Sequence, residues 1–81
     1  MATKIVMYTQ NTCPNCKRAK EHLSFAPVDI VLLERNIDDD KYWKYELENK
    51  YKSMSLPTFV FENGNVVIGF DEGKIMTELG L

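Results

Sequence analysis

Two cysteines, Cys13 and Cys16, are the residues of this sequence best fitted to do chemistry, and they stand three positions apart in the run Cys13-Pro14-Asn15-Cys16. A thiolate, not a thiol, attacks a disulfide, and a free cysteine with a pKa of about 8.5 is mostly protonated at neutral pH. The start of a helix favours the anion through its unpaired N–H groups and its dipole. Pro14 suits a first helical position, where a missing N–H costs nothing. Cys13 is therefore expected just before a helix, with Cys16 one turn inside it. Lys17 and Arg18 add positive potential that salt weakens. On this reading Cys13 is the exposed nucleophile. Cys16, on the buried side, attacks the mixed disulfide formed on Cys13 and releases reduced substrate.

Other uses of the pair fit less well. A cross-link gains with the length of the loop it closes, so this one is a poor staple. A structural zinc ion wants four ligands. The chain offers two cysteines and one histidine, His22, so no metal site is expected within one copy. His22 reads instead as a surface or half-buried helix residue. Asp38-Asp39-Asp40 reads as a helix start, since a calcium loop needs ligands at alternating positions over about 12 residues.

The elements that must position the cysteines follow from the rest of the chain. Its 81 residues allow one domain, 1–81. Apolar residues at 44% argue against disorder, and a net charge of −2 gives no basic footprint for nucleic acid. No apolar run approaches the roughly 20 residues that span a bilayer. Met1-Ala2-Thr3-Lys4 lacks a signal-peptide layout, and so few cysteines fit a reducing compartment. The expectation is a cytoplasmic monomer.

Lys4 to Tyr8 is a short apolar run that reads as a buried strand. Gln10-Asn11-Thr12 breaks it with turn-forming residues. Cys16, Ala19, Leu23 and Ala26 then share one face of a helix that Pro27 ends. Val28 to Glu34 reads as a second strand. An Asp of the Asp38–Asp40 run caps a second helix, whose inward face carries Trp43, Leu47 and Tyr51. Thr58–Phe61 and Asn65–Ile68 read as strands, with Asn63-Gly64 between them as a type I′ hairpin signal. Asp71 caps a last helix bearing Ile75, Met76 and Leu79, and Gly80 stops it. The order β-α-β-α-β-β-α implies an α/β fold with one mixed four-stranded sheet flanked by three helices. Tyr8 is expected in the core, with Tyr42 and Tyr45 left open. Pro57 in Ser55-Leu56-Pro57-Thr58 is, on residue physics alone, an ordinary proline at a strand start.

Taken together, Cys13-Pro14-Asn15-Cys16 after a short strand, Leu56-Pro57-Thr58 before a strand, and Gly69-Phe70-Asp71 before the last helix resemble a glutaredoxin. The stretch Glu34-Arg35-Asn36-Ile37-Asp38 shares the likeness, which covers essentially the whole chain. It is strongest to small glutaredoxin-like proteins and NrdH-type redoxins. The resemblance implies a thioredoxin-like fold and a dithiol–disulfide oxidoreductase. It makes Pro57 a cis-proline beside the cysteines and Leu56 the residue whose backbone pairs with substrate. It places Asp71 where glutaredoxins help bind the charged ends of glutathione, and sets Pro14, Asn15, Gly69 and Phe70 on the substrate-binding surface. No bound cofactor is implied. Glutathione or thioredoxin reductase is the reductant, and disulfide-containing proteins, ribonucleotide reductase among them by analogy, are the partners.

The sequence also departs from the family. Asn15 stands where many members have an aromatic residue, and Gln10 and Asn11 stand where many have a lysine. Ile68-Gly69 replaces a double glycine. These changes weaken the expectation of tight glutathione binding, and Gly69-Phe70 is similar to redoxins reduced by thioredoxin reductase. An alternative of a different class is a metal or iron–sulfur binding module, in which two copies pool Cys13 with glutathione thiolates.

Overall fold

Seven elements follow one another in the computed structural model, which describes residues 3–81: β1 (Thr3–Thr9), α1 (Pro14–Ser24), β2 (Ile30–Asn36), α2 (Lys41–Asn49), β3 (Thr58–Phe61), β4 (Val66–Ile68) and α3 (Glu72–Glu78). The order is the one expected. The expectation about Met1 and Ala2 lies outside the described residues.

The sheet runs β2-β1-β3-β4. β1 pairs parallel with β2, from Thr3 opposite Ile30 to Thr9 opposite Asn36. It pairs antiparallel with β3, and β3 antiparallel with β4. The sheet is therefore mixed, as the crossover and the tight hairpin together require.

Strand side chains alternate between faces. Ile5 and Met7 of β1, Phe59 and Phe61 of β3 and Val67 of β4 share one buried cluster with Cys16, Ala19 and Leu23 of α1 and Ile75 of α3. α1 and α3 thus lie over the Ile5–Met7 face. Tyr8 points the other way, toward α2, and is fully buried there. The row Leu33–Val6–Val60–Val66 crosses all four strands on that second face, and Leu33 remains 49% exposed.

Three expectations need correction in detail. β2 begins and ends two residues later than Val28–Glu34, since the parallel register carries Arg35 and Asn36 alongside Tyr8 and Thr9. The β3–β4 turn is not type I′, because of Asn63 and Gly64 only Gly64 has positive φ, at 88°. Gly64 N–H bonds to Phe61 O at 2.9 Å and Phe61 N–H to Asn65 O at 2.9 Å, which makes a three-residue loop closed by a left-handed glycine. The stripe Trp43–Leu47–Tyr51 is only partly inward. Leu47 is 2% exposed, but Tyr51 falls beyond the end of α2 and sets its ring at a tilt to that of Tyr8, with ring centres 5.7 Å apart.

Candidate functional site

Cys13 is the N-cap of α1 and Pro14 opens the helix. The Cys16 N–H points at Cys13 Sγ across 3.1 Å. The two cysteines are disulfide-bonded with Cα atoms 5.2 Å apart. Their surroundings differ. Cys13 is half-buried at the rim, whereas Cys16 is 2% exposed within the α1 stripe.

The loop that presents Cys13 is tied from beneath. Asn11 N–H donates to Asp38 Oδ2 at 2.8 Å, and Asn36 Nδ2 donates to Asn11 Oδ1 at 2.9 Å. These bonds lash the β1–α1 loop to the β2–α2 loop. Asp38 therefore serves as a tether, and Asp40 is the residue that caps α2 through Tyr42 N–H at 2.8 Å. Below them Thr9 Oγ1 and Lys20 Nζ both donate to Glu34, at 2.8 and 2.9 Å. The Lys20 ammonium chiefly holds the Glu34 carboxyl below the usual carboxylate range, with Thr9 assisting against the cost of burial.

A second loop approaches Cys13 from the other side. The Leu56–Pro57 bond is cis, and Pro57 is buried. Thr58 Oγ1 donates to Ser55 O at 2.7 Å, and its oxygen lies 2.7 Å from Ser53 Oγ, which holds the turn from within. No hydrogen bond is made by the Leu56 backbone among the described residues. Gly69 N–H bonds to Pro57 O at 2.8 Å, linking the segment before α3 to this loop. Phe70 follows and meets His22 of α1 edge-on at 5.7 Å. Cys13, Leu56 and Phe70 all pack against the one core cluster.

The expected site residues are brought together only in part. Cys13, Pro14, Asn15 and Leu56 line one hollow of about 270 Å³. Pro57 is buried and is not among its lining residues. Asp71 lines another hollow, with Lys74, between β4 and α3. Its Oδ1 accepts the Lys74 N–H at 3.1 Å, so it acts as a helix cap. Sequence reasoning missed Thr12 and Met54, which complete the lining around Cys13 along with Gln10. Met54 is 87% exposed. An apolar side chain in the otherwise polar turn Lys52-Ser53-Met54-Ser55 was the signal that could have marked it.

A further cluster braces α2. Arg35 Nη1 donates to Tyr8 Oη at 3.0 Å and to Glu46 Oε1, while the Tyr8 hydroxyl donates to Glu46. Burial, with the bond to Glu46, pushes the Tyr8 hydroxyl far above the usual tyrosine value, against the opposing pull of Arg35. Among the described residues no three His, Cys, Asp or Glu side chains converge to hold a metal ion. No helix among the described residues is long and apolar enough to cross a membrane.

The glutaredoxin family model matches residues 5–67. The chain is 32% identical over 71 residues to an uncharacterised glutaredoxin-like 8.6 kDa protein in the rubredoxin operon of Clostridium pasteurianum, covering 88% of this chain and 91% of that one. The structure resembles the thioredoxin-like protein BC3987 with a TM-score of 0.80 at 35% identity, over 91% of this chain and 97% of that one. It also resembles a glutaredoxin from Archaeoglobus fulgidus, with a TM-score of 0.78 at 28% identity, over 95% and 86% of the two chains.

Proposed function

The chain belongs to the glutaredoxin family, and we propose that it is a dithiol–disulfide oxidoreductase reducing protein disulfides, glutathione mixed disulfides, or both, through Cys13 and Cys16. One observation carries the reading: a rim cysteine capping a helix, with the N–H of a buried second cysteine aimed at its sulfur across 3.1 Å. That N–H and the helix dipole stabilise negative charge on Cys13.

In the reduced protein the Cys13 thiolate attacks one sulfur of the substrate disulfide. A mixed disulfide forms, and the other substrate sulfur leaves as a thiolate that takes up a proton. Cys16 gives up its proton and attacks Cys13 Sγ, which releases the second substrate sulfur and forms the Cys13–Cys16 bond. Two electrons have passed from the protein to the substrate. They are restored by two glutathione molecules, oxidised in turn to their disulfide, or by thioredoxin reductase. Leu56 offers its backbone to an extended substrate segment, as an added strand would.

The Clostridium relative's name places it in a rubredoxin operon. That setting supports redox partners for this chain as well. The same reading sets the protein in a reducing compartment, the cytoplasm, with ribonucleotide reductase as one substrate by analogy.

The test couples a protein disulfide to NADPH through either glutathione with glutathione reductase or thioredoxin reductase. The wild type is expected to turn over with at least one system and Cys13→Ser with neither. Full activity in Cys13→Ser would overturn the assignment.

A further inference from the structure

A second hollow of about 220 Å³ adjoins the one over Cys13, and Gln10, Met54 and Leu56 line both. Ile37 from the β2–α2 connection and Leu47 from α2 complete an apolar floor, while Lys44 and Glu48 stand on the rim. Resting on the dithiol reading above, we propose that this second hollow is a subsite for an apolar side chain flanking the reacting cysteine of a protein substrate. Met54 is the residue that sets the preference.

Size and shape support one side chain as the occupant. Small-molecule sites occupy about 300–1,000 Å³, so this hollow is too small for a whole ligand of that kind. It shares Gln10, Met54 and Leu56 with the hollow that Cys13 lines, so it lies beside the place of a substrate joined to that sulfur. The Leu56 backbone, unpaired among the described residues and lining both hollows, favours an extended segment, whose neighbouring side chains project to either side.

Glutathione brings no apolar side chain to the subsite. Its cysteine is flanked by a glycine without a side chain and by a charged, γ-linked glutamate. Neither fills an apolar floor. Lys44 and Glu48 lie one helical turn apart with opposite charges, so the rim gives no net preference for an ion.

The two walls differ in how they are held. The α2 wall is braced, since Leu47 is buried and the neighbouring Glu46 is held by Tyr8 and Arg35. Met54 is 87% exposed on the lip shared by both hollows. An unbranched thioether adapts readily to an incoming apolar group.

The experiment uses two cysteine peptides, alike except that the cysteine is flanked by leucine or by glycine on both sides. Each is joined by a disulfide to 2-nitro-5-thiobenzoate. Fully reduced protein is mixed with each, and release of the coloured thiolate gives the rate of attack, with no reductase needed. The wild type is expected to favour the leucine peptide by about tenfold, at the low end of what an apolar pocket discriminates. Met54→Ser is expected to bring the ratio near one and Met54→Leu to restore it. A wild-type ratio near one overturns the subsite and leaves the oxidoreductase reading standing. A Met54→Ser ratio equal to that of wild type overturns the role of Met54. No reaction with either peptide overturns the oxidoreductase reading itself.

Discussion

Cys16 donates its backbone N–H to Cys13 Sγ at 3.1 Å while its own sulfur lies in the core. The donor belongs to the first turn of α1, so the helix holds it in place when the S–S bond opens. One cysteine therefore meets solvent and the helix dipole, and the other meets neither. After reduction, iodoacetamide at pH 7 is expected to label Cys13 well before Cys16. Peptide mass mapping of briefly treated protein checks this. Equal labelling would remove the division of labour between the two thiols.

The same asymmetry predicts the behaviour of Cys16→Ser. Without the second thiol the mixed disulfide on Cys13 has no internal attacker. A disulfide-linked peptide should therefore accumulate on the protein in one-to-one ratio, visible as a mass increase that an added thiol reverses. Reduction of protein disulfides should drop to the rate of uncatalysed exchange, while exchange on glutathione mixed disulfides persists with excess glutathione as the attacker. Rapid spontaneous release of the peptide would contradict the resolving role.

Much of this site was legible in the sequence because it is local. A proline after a cysteine, a cysteine three positions on, and Ala19 and Leu23 at helical spacing are enough to place the pair at a helix start. Thr58–Phe61 was readable as a strand for the same reason. What was not legible depends on long-range pairing. Asn11 and Asp38 are 27 residues apart, and Tyr8 and Glu46 are 38 apart. No periodicity links them. The Leu56–Pro57 bond is cis although the prior for such bonds is only about 5–6%, so the family resemblance pointed to it and residue physics did not. Asn63-Gly64 signalled a hairpin correctly, but a third loop residue changed its type.

The Tyr8–Arg35–Glu46 cluster predicts a stability effect away from the cysteines. Glu46 is 12% exposed and accepts from both partners. In Glu46→Ala the buried Tyr8 hydroxyl loses its acceptor and Arg35 loses its counter-charge. The expected loss is about 1–3 kcal/mol, the penalty for one buried group left unsatisfied. A third of the Arg35 side chain is open to water, which keeps the figure below that of a fully buried ion pair. Urea unfolding of the two proteins measures it, and an unchanged midpoint would show that water replaces Glu46 without cost.

Opening the disulfide should leave the fold intact. A bridge across three positions closes so short a loop that its entropic contribution is about 2 kcal/mol, less than the roughly 3 kcal/mol of a 15-residue loop. The core cluster on the Ile5–Met7 face is continuous across β1, β3, β4, α1 and α3 without it. Far-ultraviolet circular dichroism of reduced and oxidised protein is expected to superimpose, with a modest fall in melting temperature on reduction. Loss of helix signal on reduction would mean that the pair is structural after all.

Alkaline pH should expose the Tyr8 cluster specifically. Burial, reinforced by the bond to Glu46, raises the Tyr8 hydroxyl far above the ordinary tyrosine value near 10, with Arg35 opposing. Below about pH 10 both folded and unfolded chains keep this proton, and the contribution of the cluster is fully present. Above it the unfolded chain releases the proton and the folded one retains it, so unfolding is favoured as pH rises. A single such group costs up to about 1.4 kcal/mol for each pH unit beyond the unfolded value. Tyr8→Phe cannot ionise there. Urea unfolding at pH 8, 10 and 11 is therefore expected to show the wild type losing stability more steeply than Tyr8→Phe, because every other titrating group is common to both. Parallel decline of the two proteins would show that the Tyr8 proton is not held by the fold.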